Sequence, residues 1–360
     1  MNNSKEQPGK QNFDFVDTIR CIAMIGIVFE HSTTLGWFKY TLFSEQLLQA
    51  SVMEFFKFAT ISFFLISGFL INHKFAEYTP YQYLKNRFKS TIGPWALWLN
   101  IFILINIAGL LVKEFKGAET PLSNGNFGAY LSDLYFTVIT ATSFWFILNF
   151  LICIAILLLF KKYLFHVFFG CILALSSVFY SVNIYYGWVA VGHTTALFGF
   201  VFYLWLGAFM NKHYAVIDQF IKRTKMIWFV IAATLAFMIA NLEIIHLKNM
   251  DMEGAYNTLT ISNIIYSLCF FALLLKIGPI DFINKKFEPR KTTYGIYLIH
   301  HIVLTYLISE LFRPLHIPLD SLTVYEAVAY SILRFMIAYL ITMLIVKGIL
   351  RTSFKWTIGS

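Results

Sequence analysis

The stretch "RCIAMIGIVFEH", residues 20–31, is an apolar run with an arginine at one end and a histidine at the other. It lies inside a longer apolar segment, 14–33, and about 20 predominantly apolar residues are what a helix needs to cross the hydrocarbon core. The rest of the chain has the same character. Of its 360 residues 58% are hydrophobic and 13% charged, against roughly 25% charged in soluble domains. A water-soluble core of this size could not hide so much Phe, Leu and Ile. The 39 phenylalanines and 20 tyrosines suit a lipid-facing surface with aromatic belts at its interfaces. The net charge of +9 is spread in short clusters between apolar runs. That pattern excludes a nucleic-acid-binding face, which needs its basic residues gathered together, and fits a surface beside anionic lipid.

Scanning for apolar runs gives about ten spans, near 14–33, 50–73, 92–112, 138–160, 164–183, 193–211, 226–246, 255–276, 293–311 and 324–350. "KKY" at 161–163 separates the fourth and fifth as a tight hairpin, and 130–137 reads as an interfacial piece leading into the fourth. If the spans alternate, one side carries 20 Lys and Arg and the other only Lys39, Lys113, Lys116, Lys248 and Arg313. The positive-inside rule then puts both termini in the cytoplasm. The expected fold is all-α, a polytopic membrane bundle of about ten helices. Residues 1–12 are a disordered cytoplasmic tail, and 13–360 form a single transmembrane domain. Cys21, Cys153, Cys171 and Cys269 all sit in apolar runs without a CxxC spacing, so neither a zinc site nor a disulfide framework is expected. The first apolar segment has no small-residue cleavage site after it and reads as a retained span.

Arg20 and His31 are eleven residues apart, three helical turns plus about 20°, so they project from one stripe roughly 16 Å apart. Alone, Arg20 could snorkel to the interface, and His31 could bond a neighbouring helix. Sharing a stripe favours a bundle interior or a water-filled path for both. Asp17, one turn before Arg20, is placed to fix its guanidinium. Glu30 points about 100° from His31 and reads as a helix–helix contact. His300 and His301 diverge by the same angle, so they should not serve one site equally. Ser67 and Gly68 read first as a close-packing site. His193 lies near a span end and carries no role here. Arg334 falls near mid-membrane, where an arginine costs at least about 2.5–3.5 kcal/mol. It reads as facing the interior, either paired with Glu310 or forming a positive wall on the channel.

With those residues in view, "DTIRCIAMIGIVFEH" (17–31) resembles the first-helix signature of the acyltransferase family 3 membrane proteins. "FFLISGFLI" (63–71) is similar to the family's second-helix Ser-Gly pattern, and "YLKNRFKSTIGPW" (83–95) to its basic loop and helix-opening proline. "YGIYLIHH" (294–301) resembles its late Tyr-Leu-x-His pattern, and "FWFILNFLI" (144–152) echoes its Trp-Phe-Leu segment. One departure stands in the basic loop. Where many members carry a second arginine after the position of Arg87, this chain has Ser90, with Lys89 beside it. No fused extracytoplasmic esterase-like domain is expected.

The resemblance implies a multi-pass protein of the bacterial cytoplasmic membrane. It implies transfer of an acyl group, commonly acetyl, from cytoplasmic acyl-CoA to a hydroxyl of a surface polysaccharide or a lipid-linked oligosaccharide precursor. No bound cofactor, metal or nucleic-acid partner is implied. The residue types suit that chemistry. A neutral imidazole is the usual base for a hydroxyl near pH 7, and an arginine fork suits the donor's phosphates. His31 and Arg20 are the candidate catalytic residues. Arg87, Lys89, His300 and Arg334 are candidates for donor binding or channel lining. The alternative is a transporter or flippase for a glycan or lipid-linked sugar, although matching halves with broken helices are not visible in the sequence.

Overall fold

The computed structural model describes residues 13–77, 79–121 and 125–360, with the side chains of 72–77, 80, 84, 89 and 320 outside the description. The expected tail, 1–12, lies outside the described residues. The described chain is helical from end to end. The first helices are α1 (Asp14–Ser32), α2 (Phe43–Glu54), α3 (Phe58–Glu77), α4 (Pro80–Arg87), α5 (Gly93–Phe115), α6 (Phe127–Ala141), α7 (Trp145–Leu159) and α8 (Val167–Tyr186). After these come α9 (Val201–Lys212), α10 (Tyr214–Arg223), α11 (Met226–Asn249), α12 (Ile261–Ile277), α13 (Asp281–Phe287), α14 (Pro289–Ile302), α15 (Ser309–Phe312) and α16 (Val324–Leu350).

Among the described residues six helices are long and apolar enough to cross a membrane, or eight if each of two bent pairs counts as one span. The chain is therefore a multi-pass membrane protein. Each of the ten expected segments contains helix, but α1 and α9 fall outside that count. α1 carries Asp14, Asp17, Arg20 and Glu30, and α9 has only 12 residues.

Two boundaries differ from the sequence reading. The fourth segment, expected to run unbroken over 138–160, is interrupted at Thr142–Phe144, and α6 and α7 meet at 71°. Side chains hold the break open. The Thr142 hydroxyl accepts from the Phe144 amide at 3.4 Å, Tyr297 donates to the Ser143 carbonyl at 2.6 Å, and Trp95 donates to the Phe144 carbonyl at 3.1 Å. Hydroxyl side chains compete with the helical ladder in this way. The sixth segment is helical only from Val201, so 193–200 is a turn-rich loop that carries His193. The proline expected to open the third span does so, as Pro94 in the first turn of α5.

α1 is the central helix and lies between two apolar clusters. Val16 and Ile19 join α3, α7, α9 and α12 through residues such as Phe64, Leu157, Leu204 and Tyr266. Met24 and Val28 join α5, α14 and α16 through Phe102, Ile299 and Ala338. Asp14 and Asp17 in its first turn favour the positive end of the helix dipole.

α3 and α9 approach closely because of a glycine on each. A Cβ at Gly68 would stand 1.9 Å from the Leu204 carbonyl oxygen, and one at Gly207 would stand 2.0 Å from the Leu65 carbonyl oxygen. Small residues at helix crossings permit this backbone contact in membranes. Gly68 is therefore a packing residue, as its motif suggested, and Gly207 is its partner. Because the neighbour is backbone, Gly207→Leu should force the helices apart and destabilise by about 1–3 kcal/mol or more. Thermal unfolding in detergent should show the loss; an unchanged midpoint would contradict the contact.

Candidate active site

A cavity of 640 Å³ runs beside α1, and its wall includes both Arg20 and His31. The two residues of the opening stretch are therefore joined by continuous space. α3, α7 and α14 supply most of the other walls.

The Arg20 end is built from three cations. Arg20 donates to Asp17 Oδ1 at 3.0 Å, and Arg290 donates to Asp17 Oδ2 at 2.6 Å. The i,i+3 contact expected within α1 thus forms, and the same carboxylate also orients an arginine from α14. Asp14 adds a longer contact to Arg290, at 3.6 Å. Arg87 borders the same end, its Nε donating to the Tyr83 hydroxyl at 3.0 Å. It stands where α4 passes into a wide π-turn, Phe88–Ile92, a feature that recurs at functional sites. The first turn of α14 also faces the space, through Pro289, Arg290 and Thr293. A helix N-terminus adds partial positive charge and free N–H groups, which suits an anion. The side chain of Lys89 lies outside the described residues.

Between the ends the wall is apolar and aromatic, with Met24, Ile27, Phe63, Trp145, Phe146 and Tyr297. The weaker motif "FWFILNFLI" thus supplies Trp145 and Phe146 to the lining. Ser67 also reaches the cavity, one residue from the glycine that packs against α9.

The His31 end is polar. Two histidines stand beside the His31 ring, His300 at 5.3 Å and His301 at 5.4 Å between ring centroids. The two adjacent histidines, expected not to serve one site equally, both stand near His31. Both pack against His31, while neither is among the residues that line the cavity. His300 Nδ1 sits 3.0 Å from the Ile296 carbonyl oxygen, which assigns the ring proton to Nδ1. Its Nε2 is buried and has no partner among the described residues. α14 passes into a second π-turn, Val303–Ile308, immediately after these histidines.

Opposite them Glu30 forms an ion pair with Lys57, whose side chain is only 5% exposed. Both line the cavity with His31. Glu30 is the helix–helix contact read from the sequence, but it faces the cavity as well. Lys57 is the residue the sequence reading missed. Its signal was a lysine inside the apolar segment 50–73, three residues after Glu54, since ionisable residues in spans usually face a functional interior. His193, given no role, also borders the space and stands 5.3 Å from the Trp145 ring. Arg290 was visible only as one of several loop cations.

Arg334 is not part of this constellation. It lines a separate cavity of 290 Å³ with Trp37, Arg313 and His316. The expected pair with Glu310 does not form, because that carboxylate is bonded by Arg313 at 3.0 Å, one turn away on its own helix. Arg334 instead lies over the Tyr330 ring, 5.6 Å from its centroid. Its length lets it reach toward the loop beyond α15.

No group of three or more His, Cys, Asp or Glu that could hold a metal ion occurs among the described residues. Comparison with known proteins gives one result. A family model described as an acyltransferase domain matches residues 13–345. No curated protein and no solved structure gives a significant match.

Proposed function

The chain belongs to this acyltransferase family, matched over residues 13–345, and from that premise we propose that it carries an acyl group across the membrane, from a cytoplasmic acyl-CoA to a hydroxyl of an envelope glycan or its lipid-linked precursor. The observation that carries the reading is the single cavity with three arginines at one end and His31 at the other. Family membership sets the transporter alternative aside.

In this reading Arg20, Arg87 and Arg290, with the first turn of α14, hold the donor's phosphates at the cytoplasmic mouth. Guanidinium–phosphate pairing is charge-assisted and bidentate. The thioester arm lies along the aromatic wall, and the roughly 16 Å between Arg20 and His31 sets the reach the arm must span. At the far end the acceptor hydroxyl gives its proton to the free nitrogen of His31 as its oxygen bonds the thioester carbonyl carbon. The carbonyl then re-forms as the C–S bond breaks with its bonding pair going to sulfur, and His31 returns the proton to the leaving thiolate. His300 positions His31, its unpartnered Nε2 being open to a hydrogen bond from that ring. Lys57, held by Glu30, offers a positive charge to the oxyanion formed at the carbonyl. The proposed topology is ten spans with both termini cytoplasmic. Reporter fusions after residues 120, 188 and 318 should then read as extracytoplasmic, and two cytoplasmic readings among the three would overturn the assignment.

Arg290 tests the donor end. Arg290→Gln leaves Arg20 paired with Asp17 and removes one phosphate ligand. The apparent KM for acyl-CoA should rise about tenfold while kcat changes much less, the pattern of lost uniform binding. An unchanged KM with a lowered kcat would contradict a donor-holding role.

A further inference from the structure

We propose that the second cavity, lined by Arg313, His316 and Arg334, is a binding site for the phosphate headgroup of a membrane lipid. Arg334 lies in the span-forming helix α16, and no carboxylate among the described residues pairs with it. An arginine in a membrane helix that no described carboxylate pairs with calls for an anion from elsewhere. The cavity offers such an anion a consistent set of partners. The Arg334 guanidinium is fixed against Tyr330, Arg313 stands on the rim with its charge shared by Glu310, and His316 and Ser309 add polar contacts. Trp37, 74% exposed, stands at the edge in the manner of an interfacial anchor.

Two features favour a lipid over a soluble anion. Trp37, a residue type of membrane interfaces, is part of its wall and Arg334 reaches it from a span-forming helix, so a bound anion would sit where lipid headgroups do. Beside it Leu311 and Leu315, next in sequence to the lining residues Phe312 and His316, are exposed and offer acyl chains a surface to lie on. The site is also distinct from the acyl-transfer cavity. The loop after α1 separates them, with Trp37 lining the smaller cavity while a Cβ at Gly36 would stand 3.5 Å from Met53, which lines the larger one. The inference therefore stands whether or not His31 performs acyl transfer.

Native mass spectrometry of the full chain released from nanodiscs tests it, with three probes. These are phosphatidylglycerol, a galactosyl-diacylglycerol with the same acyl chains but no phosphate, and inorganic phosphate. Wild type should retain phosphatidylglycerol in preference to the galactolipid, and the Arg313→Gln/Arg334→Gln variant should lose that preference about tenfold or more. Should the double variant fail to fold, the exposed single change Arg313→Gln decides, with a several-fold loss expected. Equal retention of the two lipids by wild type, or unchanged preference in the variants, overturns the proposal. So does arginine-dependent binding of inorganic phosphate without lipid retention.

Discussion

His31→Gln should reduce acyl transfer by about 10²–10⁴-fold, the usual contribution of a general base, while the protein still inserts and folds. Glutamine keeps roughly the size of the imidazole and can bond His300 or His301, so packing around α1 is preserved. What it cannot do is accept a proton near neutral pH. His31 is the one histidine of the cluster that borders the cavity, which is why the effect should concentrate there. His300→Gln should be milder, because it acts through the orientation of His31. The comparison is made on membranes with matched amounts of folded protein, scoring acyl groups on envelope glycans by mass spectrometry. Normal acylation with Gln at position 31 would remove the base from the mechanism.

Lys57→Met should lower the yield of folded protein sharply, and adding Glu30→Gln should restore much of it. The Glu30–Lys57 pair is nearly closed off from solvent, with the lysine 5% and the glutamate 15% exposed. Removing one partner of a buried pair leaves an uncompensated charge, which costs about 3–5 kcal/mol. Replacing both removes that penalty, since hydrophobic substitutes for buried pairs are often neutral or better. Detergent-extracted monomer measured by fluorescence-detected gel filtration reads the effect. Activity separates structure from chemistry. If Lys57 also steadies the oxyanion, the double variant should fold and still transfer acyl groups far more slowly than wild type. A folded, fully active double variant would confine the pair to structure.

Much of this arrangement was legible in residues 20–31. Helical periodicity put Arg20 and His31 on one stripe, and the cavity joins them. The Asp17–Arg20 contact follows from spacing, and the close-packing glycine at 68 from its small size in the Ser-Gly stretch. The helix boundaries around the site were less legible. The break at Thr142–Phe144 depends on donors from Tyr297 and Trp95, far away in sequence, and hydropathy cannot register it. His193 was placed in a span by its apolar neighbours, yet it lines the cavity from a loop. Arg334 shows the limit of position along a helix. Depth alone suggested the channel, whereas the reach of its side chain takes it to another cavity. Lys57 was readable but overlooked, because the charge tally that set the topology counted only loops.

We propose that the donor binds at the Arg20 end, on the cytoplasmic face, and that its acyl group reaches His31 through the membrane. Sealed vesicles of opposite orientation test this directly, with radiolabelled acetyl-CoA added outside and label counted in the envelope-glycan fraction. Inverted vesicles, which expose the cytoplasmic face, should incorporate label in proportion to the protein they contain. Right-side-out vesicles should not do so until they are lysed. Equal labelling of intact vesicles in both orientations, or labelling in vesicles that lack the protein, would contradict the account.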